Sequence, residues 1–175
     1  MIVAHAPRLL AHWSNFYVMI GSSAAALTGL MFVVITLVTN MERPNRSQDG
    51  VQTFSTPTVL HFAAALLVAA VLSAPWHSLV GPAVILGLTG LYGVIYVLRV
   101  SLRAKRLSEY VPDREDWIWY WILPFVAYAV ILLAAMALAF VPSAALFALA
   151  GATTLLIFIG IRNSWDVVTF LATRQ

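Results

Sequence analysis

The chain has 175 residues, of which 62% are apolar and 10% charged, with a formal net charge of +3 and a mean hydropathy of +0.90. Soluble domains carry about 25% charged residues, so this composition excludes an ordinary soluble protein, and the absence of cysteine excludes disulfides, thiolate metal sites and iron–sulfur clusters. A transmembrane β-barrel is also excluded, because barrel strands alternate apolar and polar residues and these apolar runs do not.

The uninterrupted apolar runs predict membrane-spanning helices, because a helix satisfies its own backbone groups in hydrocarbon. We predict an all-α integral membrane protein with one domain, residues 1–175, built as a bundle of five transmembrane helices. The spans cover about 14–39, 57–74, 79–100, 117–140 and 144–161. Prolines at 57 and 82 suit the opening turns of spans two and three. Tight turns at 75–78 and 141–143 predict two helical hairpins, spans two–three and four–five.

Fixed charge is distributed unequally between the two predicted sides of the membrane. Arg8 is the one basic residue on the side of the N-terminus and the tight turns, whereas the other nine lie in or beside the loops and tail of the opposite side. All seven acidic residues also lie on that opposite side. The positive-inside rule therefore predicts an outside N-terminus and a cytoplasmic C-terminus. The basic residues beside the spans give no reason to expect binding to nucleic acid.

The first span has one small, weakly polar face. Asn15, Ser22, Gly29 and Thr36 recur every seven residues, and Ala25 lies on the same side. We expect this face to turn inward, toward protein or water, and the opposite face, with Ile20, Leu27 and Met31, to meet lipid. A comparable stripe in the third span includes Gly87 and Gly90. Two roles stay open for the small face: close helix packing, or the lining of a water-filled path in an oligomer.

The stretch Trp13–Gly21 (WSNFYVMIG), continued by Ala24–Val33 (AAALTGLMFV), resembles the opening span of an uncharacterised family of small bacterial multi-pass inner-membrane proteins. The resemblance is limited to the first span. It implies a bacterial inner membrane, and it supplies no activity, cofactor or site residue.

His61 is the ionisable side chain that lies inside a predicted span, one turn from its cytoplasmic end. It is a candidate pH-sensitive switch. The alternative is an imidazole hydrogen-bonded to a neighbouring helix. Bis-histidine haem is disfavoured, because His5, His12 and His77 are all predicted on the other side of the membrane. Those three histidines form a weak candidate zinc or copper site, and solvated interfacial histidines are the stronger expectation.

One side of the third span carries aromatic and basic residues at spacings of four, three and four: Tyr92, Tyr96, Arg99 and Arg103. These residues are candidates for contact with an anion or a phospholipid headgroup. Aromatic anchoring and snorkelling by arginine explain the same pattern.

No cofactor is predicted, and the motifs of hydrolases, phosphate loops and metalloproteases do not occur. No carboxylate lies in a span, so the usual relay groups of a coupled transporter are missing. We expect a non-catalytic accessory or scaffold protein that forms a homo-oligomer in the bilayer and docks a cytoplasmic or membrane protein partner. The alternative is an oligomeric channel or facilitator lined by the small face of the first span.

Overall fold

The computed structural model of the protein describes residues 6–41, 49–104 and 114–173, which are helical except for two short turns at 74–79 and 138–141. The helices are α1 (Ala6–Met41), α2 (Asp49–Ser73), α3 (Val80–Ala104), α4 (Arg114–Trp117), α5 (Leu123–Ala137) and α6 (Pro142–Thr173), with a π-helical turn at Ile118–Ile122 between α4 and α5. No strand occurs in these three ranges. The all-helical prediction is confirmed for them.

Within the described residues, four helical segments are long and apolar enough to cross a membrane: Pro7–Thr36, Val80–Leu102, Ile118–Ala137 and Pro142–Asp166. A fifth apolar segment, Pro57–Ser73 of α2, is shorter. At about 1.5 Å per residue its 17 residues measure roughly 26 Å, somewhat less than the roughly 30 Å hydrocarbon core of a bilayer. The chain therefore has the helices of a multi-pass membrane protein, and the predicted second span is the one that falls short.

The start of the second helix differs from the predicted one. α2 begins at Asp49, so Pro57 lies inside the helix and not in its opening turn. Helices near a membrane tolerate an interior proline when neighbouring groups satisfy the freed carbonyl. α6 continues without interruption to Thr173, so the polar tail extends the last span. α3 begins at Val80, which leaves Pro82 in its first turn as predicted.

The fourth span is not a uniform α-helix. Its π-helical turn is closed by a hydrogen bond from the Leu123 amide to the Ile118 carbonyl, five residues earlier. Pro124 follows directly, and it has no amide hydrogen to donate to the Tyr120 carbonyl. A π turn accommodates such an interruption by widening the helix locally. The interruption that Pro124 makes in the α-helical hydrogen bonding is therefore accommodated in the turn that precedes it.

Helices α2 and α6 form the centre of the bundle. α1 packs on α2, both α2 and α5 pack on α6, and α3 packs mainly on α5. The predicted hairpin of spans four and five is therefore present, whereas spans two and three are joined by a short turn without close packing along their length. In that turn the Trp76 indole donates to the Val71 carbonyl at 2.6 Å, and its ring lies against Gly81 at the start of α3. A large ring thus fills the corner where the two helices diverge.

The interior is filled by the facing sides of α2 and α6. The fully buried apolar side chains there include Phe62, Ala65, Val68, Leu72, Leu149, Leu156 and Ile159. Gly160 of α6 is where the two helices meet most tightly, because a Cβ atom added there would overlap the Phe62 ring. α6 is accordingly the most buried of the four spanning segments, and α1 and α3 are the most exposed.

Candidate functional site

The small face of α1 lies on the outside of the chain. Asn15, Ser22, Ala25, Gly29 and Thr36 are all exposed. A Cβ atom added at Gly29 would have no neighbour within 4 Å. The expectation that this face turns inward is therefore wrong for the single chain.

The large residues of α1 take the inward positions instead. Tyr17, Ile20 and Met31 are buried, although Ile20 and Met31 were expected to face lipid. The close approach of α1 to α2 is at Gly21, where an added Cβ atom would lie 3.1 Å from that of the buried Ala69. The Tyr17 hydroxyl donates to the Leu146 carbonyl of α6 at 3.4 Å, so this side of α1 contacts both central helices.

Hydroxyl groups on α1 are satisfied by the helix itself. Ser23, Thr28 and Thr36 each donate to the carbonyl four residues earlier, at 2.9, 2.8 and 2.8 Å. A hydroxyl bonded in this way needs no partner from another helix. These groups can therefore face apolar surroundings at little cost, which explains why the polar side of α1 is not forced into the bundle.

The stripe of the third span lies against α5. A Cβ atom added at Gly90 would approach the backbone nitrogen of Leu132 to 2.6 Å, and one at Gly93 would overlap the Tyr128 ring. At Gly87 the nearest atom would be the Ala135 Cβ, at 3.9 Å. Gly87 and Gly90 thus lie on one packing surface, and Gly90 marks the point of closest backbone approach. The further contribution of Gly93 was not predicted from the sequence.

His61 is buried, with 2% of its surface exposed. Its Nδ1 atom lies 3.0 Å from the hydroxyl oxygen of Tyr128 on α5, and the two rings are tilted at 45° with centroids 5.7 Å apart. Tyr128 is 1% exposed. The pair matches the alternative considered for His61, an imidazole hydrogen-bonded to a neighbouring helix. Sequence reasoning missed Tyr128, which could have been found as a tyrosine in mid-span that needs a polar partner.

Two further buried polar groups lie toward the Arg162 end of the bundle. Asn163 of α6 is fully buried, and neither its Oδ1 nor its Nδ2 atom has a hydrogen-bond partner among the described residues. The same holds for Nε1 of Trp121 in the π turn. Asn163 follows the buried positions Leu156 and Ile159 on the inner face of α6. Asn163 could have been identified from the sequence, because it occupies a position of this helical repeat that is otherwise apolar.

An ionic cluster lies beside Asn163, three turns before the end of α6. Arg162 pairs with Asp166 one turn later, lies 3.5 Å from Glu115 of α4, and is stacked over the Trp119 ring at 6.0 Å. Trp117 and Trp121 form a ring pair beside it, with centroids 4.4 Å apart. Arginine and tryptophan gathered at one level are typical of a membrane–water interface.

The aromatic and basic side of α3 is exposed. Tyr92 and Arg99 are exposed, Tyr96 is half-buried, and the two tyrosine rings are stacked with centroids 6.4 Å apart. Arg103 belongs to the last turn of α3, and its side chain lies outside the described set. Among the predicted sites, this surface keeps the side chains together and accessible.

The described residues do not form the predicted cluster of His5, His12 and His77. His12 and His77 are exposed, and His5 lies outside the described residues. No group of three His, Cys, Asp or Glu side chains suited to a metal ion is found in residues 6–41, 49–104 and 114–173.

No family model, curated protein or solved structure matches the chain.

Proposed function

We propose that the chain is a bacterial inner-membrane protein whose five helices all cross the bilayer, with the N-terminus outside and the C-terminus in the cytoplasm. The unequal distribution of basic residues supports this orientation, and so does the resemblance of the first span. α2 continues from Pro57 back to Asp49, so the shorter apolar segment is part of a longer helix. Its inner face is covered by protein on α1 and α6, which lowers its need for a long apolar exterior.

We further propose that the protein is a non-catalytic scaffold that assembles with copies of itself. The observation that carries this proposal is the exposed line Asn15, Ser22, Gly29 and Thr36 on α1. Small residues on the lipid-facing side of a membrane helix allow a second helix to approach closely, and dispersion contacts then stabilise the pair. The bundle's own helices leave this line uncovered, so a second copy is its natural partner in the bilayer. Cytoplasmic loops would dock further proteins.

The second candidate is a channel or facilitator formed by several copies. The exposure of the Asn15 amide and the Ser22 hydroxyl on this helix favours it, because polar side chains turned away from the subunit suit a water-filled path between subunits. A single subunit would not enclose that path. The two candidates therefore share their assembly surface and differ in what the surface does.

Leucine substitutions test the assembly. Gly29→Leu and Ser22→Leu place a large side chain on the proposed contact, and we expect each to convert oligomers into monomers in lipid nanodiscs. Gly151→Leu is the matched control, because a Cβ atom at Gly151, like one at Gly29, would have no neighbour within 4 Å. The measurement is mass by light scattering together with crosslinking. An oligomer unchanged by both α1 variants, or a monomeric wild type, rules out assembly through this face.

Flux measurements separate the two candidates. Asn15→Asp and Thr36→Val change the polarity of the line without large changes in volume, so the oligomer should persist. If the protein is a channel, ion flux into liposomes changes with these variants. If wild type and variants all give the ion flux of protein-free liposomes, the channel is excluded and the scaffold proposal stands.

A further inference from the structure

One flank of α3 carries two tyrosines and an arginine in successive turns. Tyr92 is 59% exposed, and its ring is stacked on that of Tyr96 with an interplanar angle of 24°. Arg99 is exposed and follows Tyr96 by three residues, so it lies on the same side one turn later. The stacked rings form a flat aromatic surface that ends at a guanidinium group.

The surroundings of this surface are aliphatic. α3 packs on α5 along the adjoining side, where Gly90 and Gly93 approach Leu132 and Tyr128. The exposed residues beside the tyrosines and Arg99 are long apolar side chains: Leu88, Leu91, Ile95, Leu98 and Leu102. A ligand of this surface would therefore contact hydrocarbon side chains along most of its length and a positive charge at one end.

The depth of Arg99 follows from the packing of α3 against the fourth span. Gly93 lies beside Tyr128 of α5, and the antiparallel α3 then runs toward the π turn, which it also contacts. The π turn belongs to the level of the tryptophan pair and of the ionic cluster at Arg162. Arg99 is thus near the boundary between the apolar part of the bundle and its charged end. Phospholipid phosphates lie at this level of a membrane.

We propose that Tyr92, Tyr96 and Arg99 form a binding site for one anionic phospholipid. The Arg99 guanidinium donates to the lipid phosphate in a charge-assisted hydrogen bond. The tyrosine rings pack against the glycerol region, and the flanking leucines contact an acyl chain. The aliphatic flanks select a lipid over a soluble anion. The exposed charge of Arg99, which has no ion-pair partner among the described residues, selects an anionic over a zwitterionic lipid. This inference is independent of assembly through α1.

Lipid titration into the full-length protein tests the site. The purified protein in neutral detergent is titrated with phosphatidylglycerol or phosphatidylcholine, and bound lipid is counted by native mass spectrometry. We expect a preference for phosphatidylglycerol that Arg99→Gln weakens about 5-fold, the factor that corresponds to roughly 1 kcal/mol per basic residue at a membrane surface. Arg8→Gln is the matched control, since Arg8 is an exposed arginine on α1 and should leave the preference unchanged.

A second variant tests the aromatic part. Tyr92→Ser removes an exposed ring, so the variant should fold normally. It should lower the number of bound lipids and keep the preference for phosphatidylglycerol over phosphatidylcholine. Equal binding of the two lipids by wild type, or an unchanged preference in Arg99→Gln, overturns the proposal. Displacement of phosphatidylglycerol by millimolar inorganic phosphate also overturns it, because it would identify a site for free anions.

Discussion

The Nδ1 atom of His61 and the hydroxyl oxygen of Tyr128 lie 3.0 Å apart in the interior, so a hydrogen bond connects α2 to α5. Both side chains are almost completely buried. The Tyr128 ring also fills the space left by Gly93 of α3. One tyrosine therefore links three helices, through a hydrogen bond on one side and ring packing on the other.

Removing the Tyr128 hydroxyl should destabilise the bundle. Tyr128→Phe leaves the buried imidazole without this partner, and we expect the free energy of unfolding to fall by roughly 1 kcal/mol, between the average of about 0.6 kcal/mol for such bonds in membranes and the larger cost of an unpaired buried group. The measurement is denaturant unfolding in detergent. Tyr92→Phe, the same change at an exposed position, should have no effect.

The double variant His61→Leu, Tyr128→Phe gives the coupling energy of the pair. Because both polar groups are then replaced, its loss of stability should be smaller than the sum of the two single losses. Strictly additive losses would show that the contact contributes nothing.

Two glycines of α3 should respond differently to alanine. Gly90→Ala brings a methyl group against the Leu132 backbone, which can move only with the whole of α5. We expect a loss of about 1–3 kcal/mol, the usual cost of overpacking. Gly87→Ala meets only the Ala135 methyl at 3.9 Å and should be neutral or slightly stabilising. Thermal unfolding monitored by circular dichroism compares the two, and equal effects would contradict the observed packing of α3 on α5.

The same contrast exists on α6. Gly160→Ala would force the Phe62 ring out of its position between α2 and α6, so we expect a lower unfolding midpoint. Gly151→Ala adds a methyl group in open space and should raise stability by up to about 1 kcal/mol through helix propensity. The double variant Gly160→Ala, Phe62→Leu should recover part of the loss, because the smaller side chain makes room. No recovery would mean that the strain lies elsewhere.

Asn163 offers a prediction of the opposite sign. Its amide is buried without a partner among the described residues, and a buried unpaired polar group costs about 1–3 kcal/mol. Asn163→Leu should therefore raise the unfolding midpoint. Asn163→Asp, which introduces a carboxylate at the same place, should lower it strongly. A leucine variant less stable than wild type would indicate that the amide has a partner in the membrane.

The apolar runs predicted the helices and their approximate positions, because the cost of exposing backbone in hydrocarbon leaves few alternatives. The start of α2 was wrong, since a proline is compatible with both an opening turn and an interior position near the interface. Pro124 lacks the amide that an α-helix needs at its position. The form that the fourth span takes there, a π turn at Ile118–Ile122, has no local sequence signal, because the turn packs against α3 and α6.

The orientation of α1 could not be predicted from its own pattern. In a soluble protein the apolar face of a helix turns inward. In a bilayer either face can contact lipid, because hydroxyl groups on the polar face can donate to carbonyls of their own helix. Which face is buried then depends on the neighbouring helices: the Tyr17 hydroxyl donates to the Leu146 carbonyl of α6 at 3.4 Å, and Gly21 lies against Ala69 of α2. The pairing of His61 with Tyr128 required the same three-dimensional knowledge, because 67 residues separate the two.

The central position of α2 and α6 has a consequence for biogenesis. α6 is synthesised after α1 to α5, and until then the side of α2 that packs on α6 has no complement. A nascent chain carrying α1 to α3 must therefore hold His61 and Phe62 without their final neighbours, and the bundle closes only once α6 has been synthesised. Truncation before Pro142 should consequently yield a product that quality-control proteases degrade rather than a smaller stable bundle.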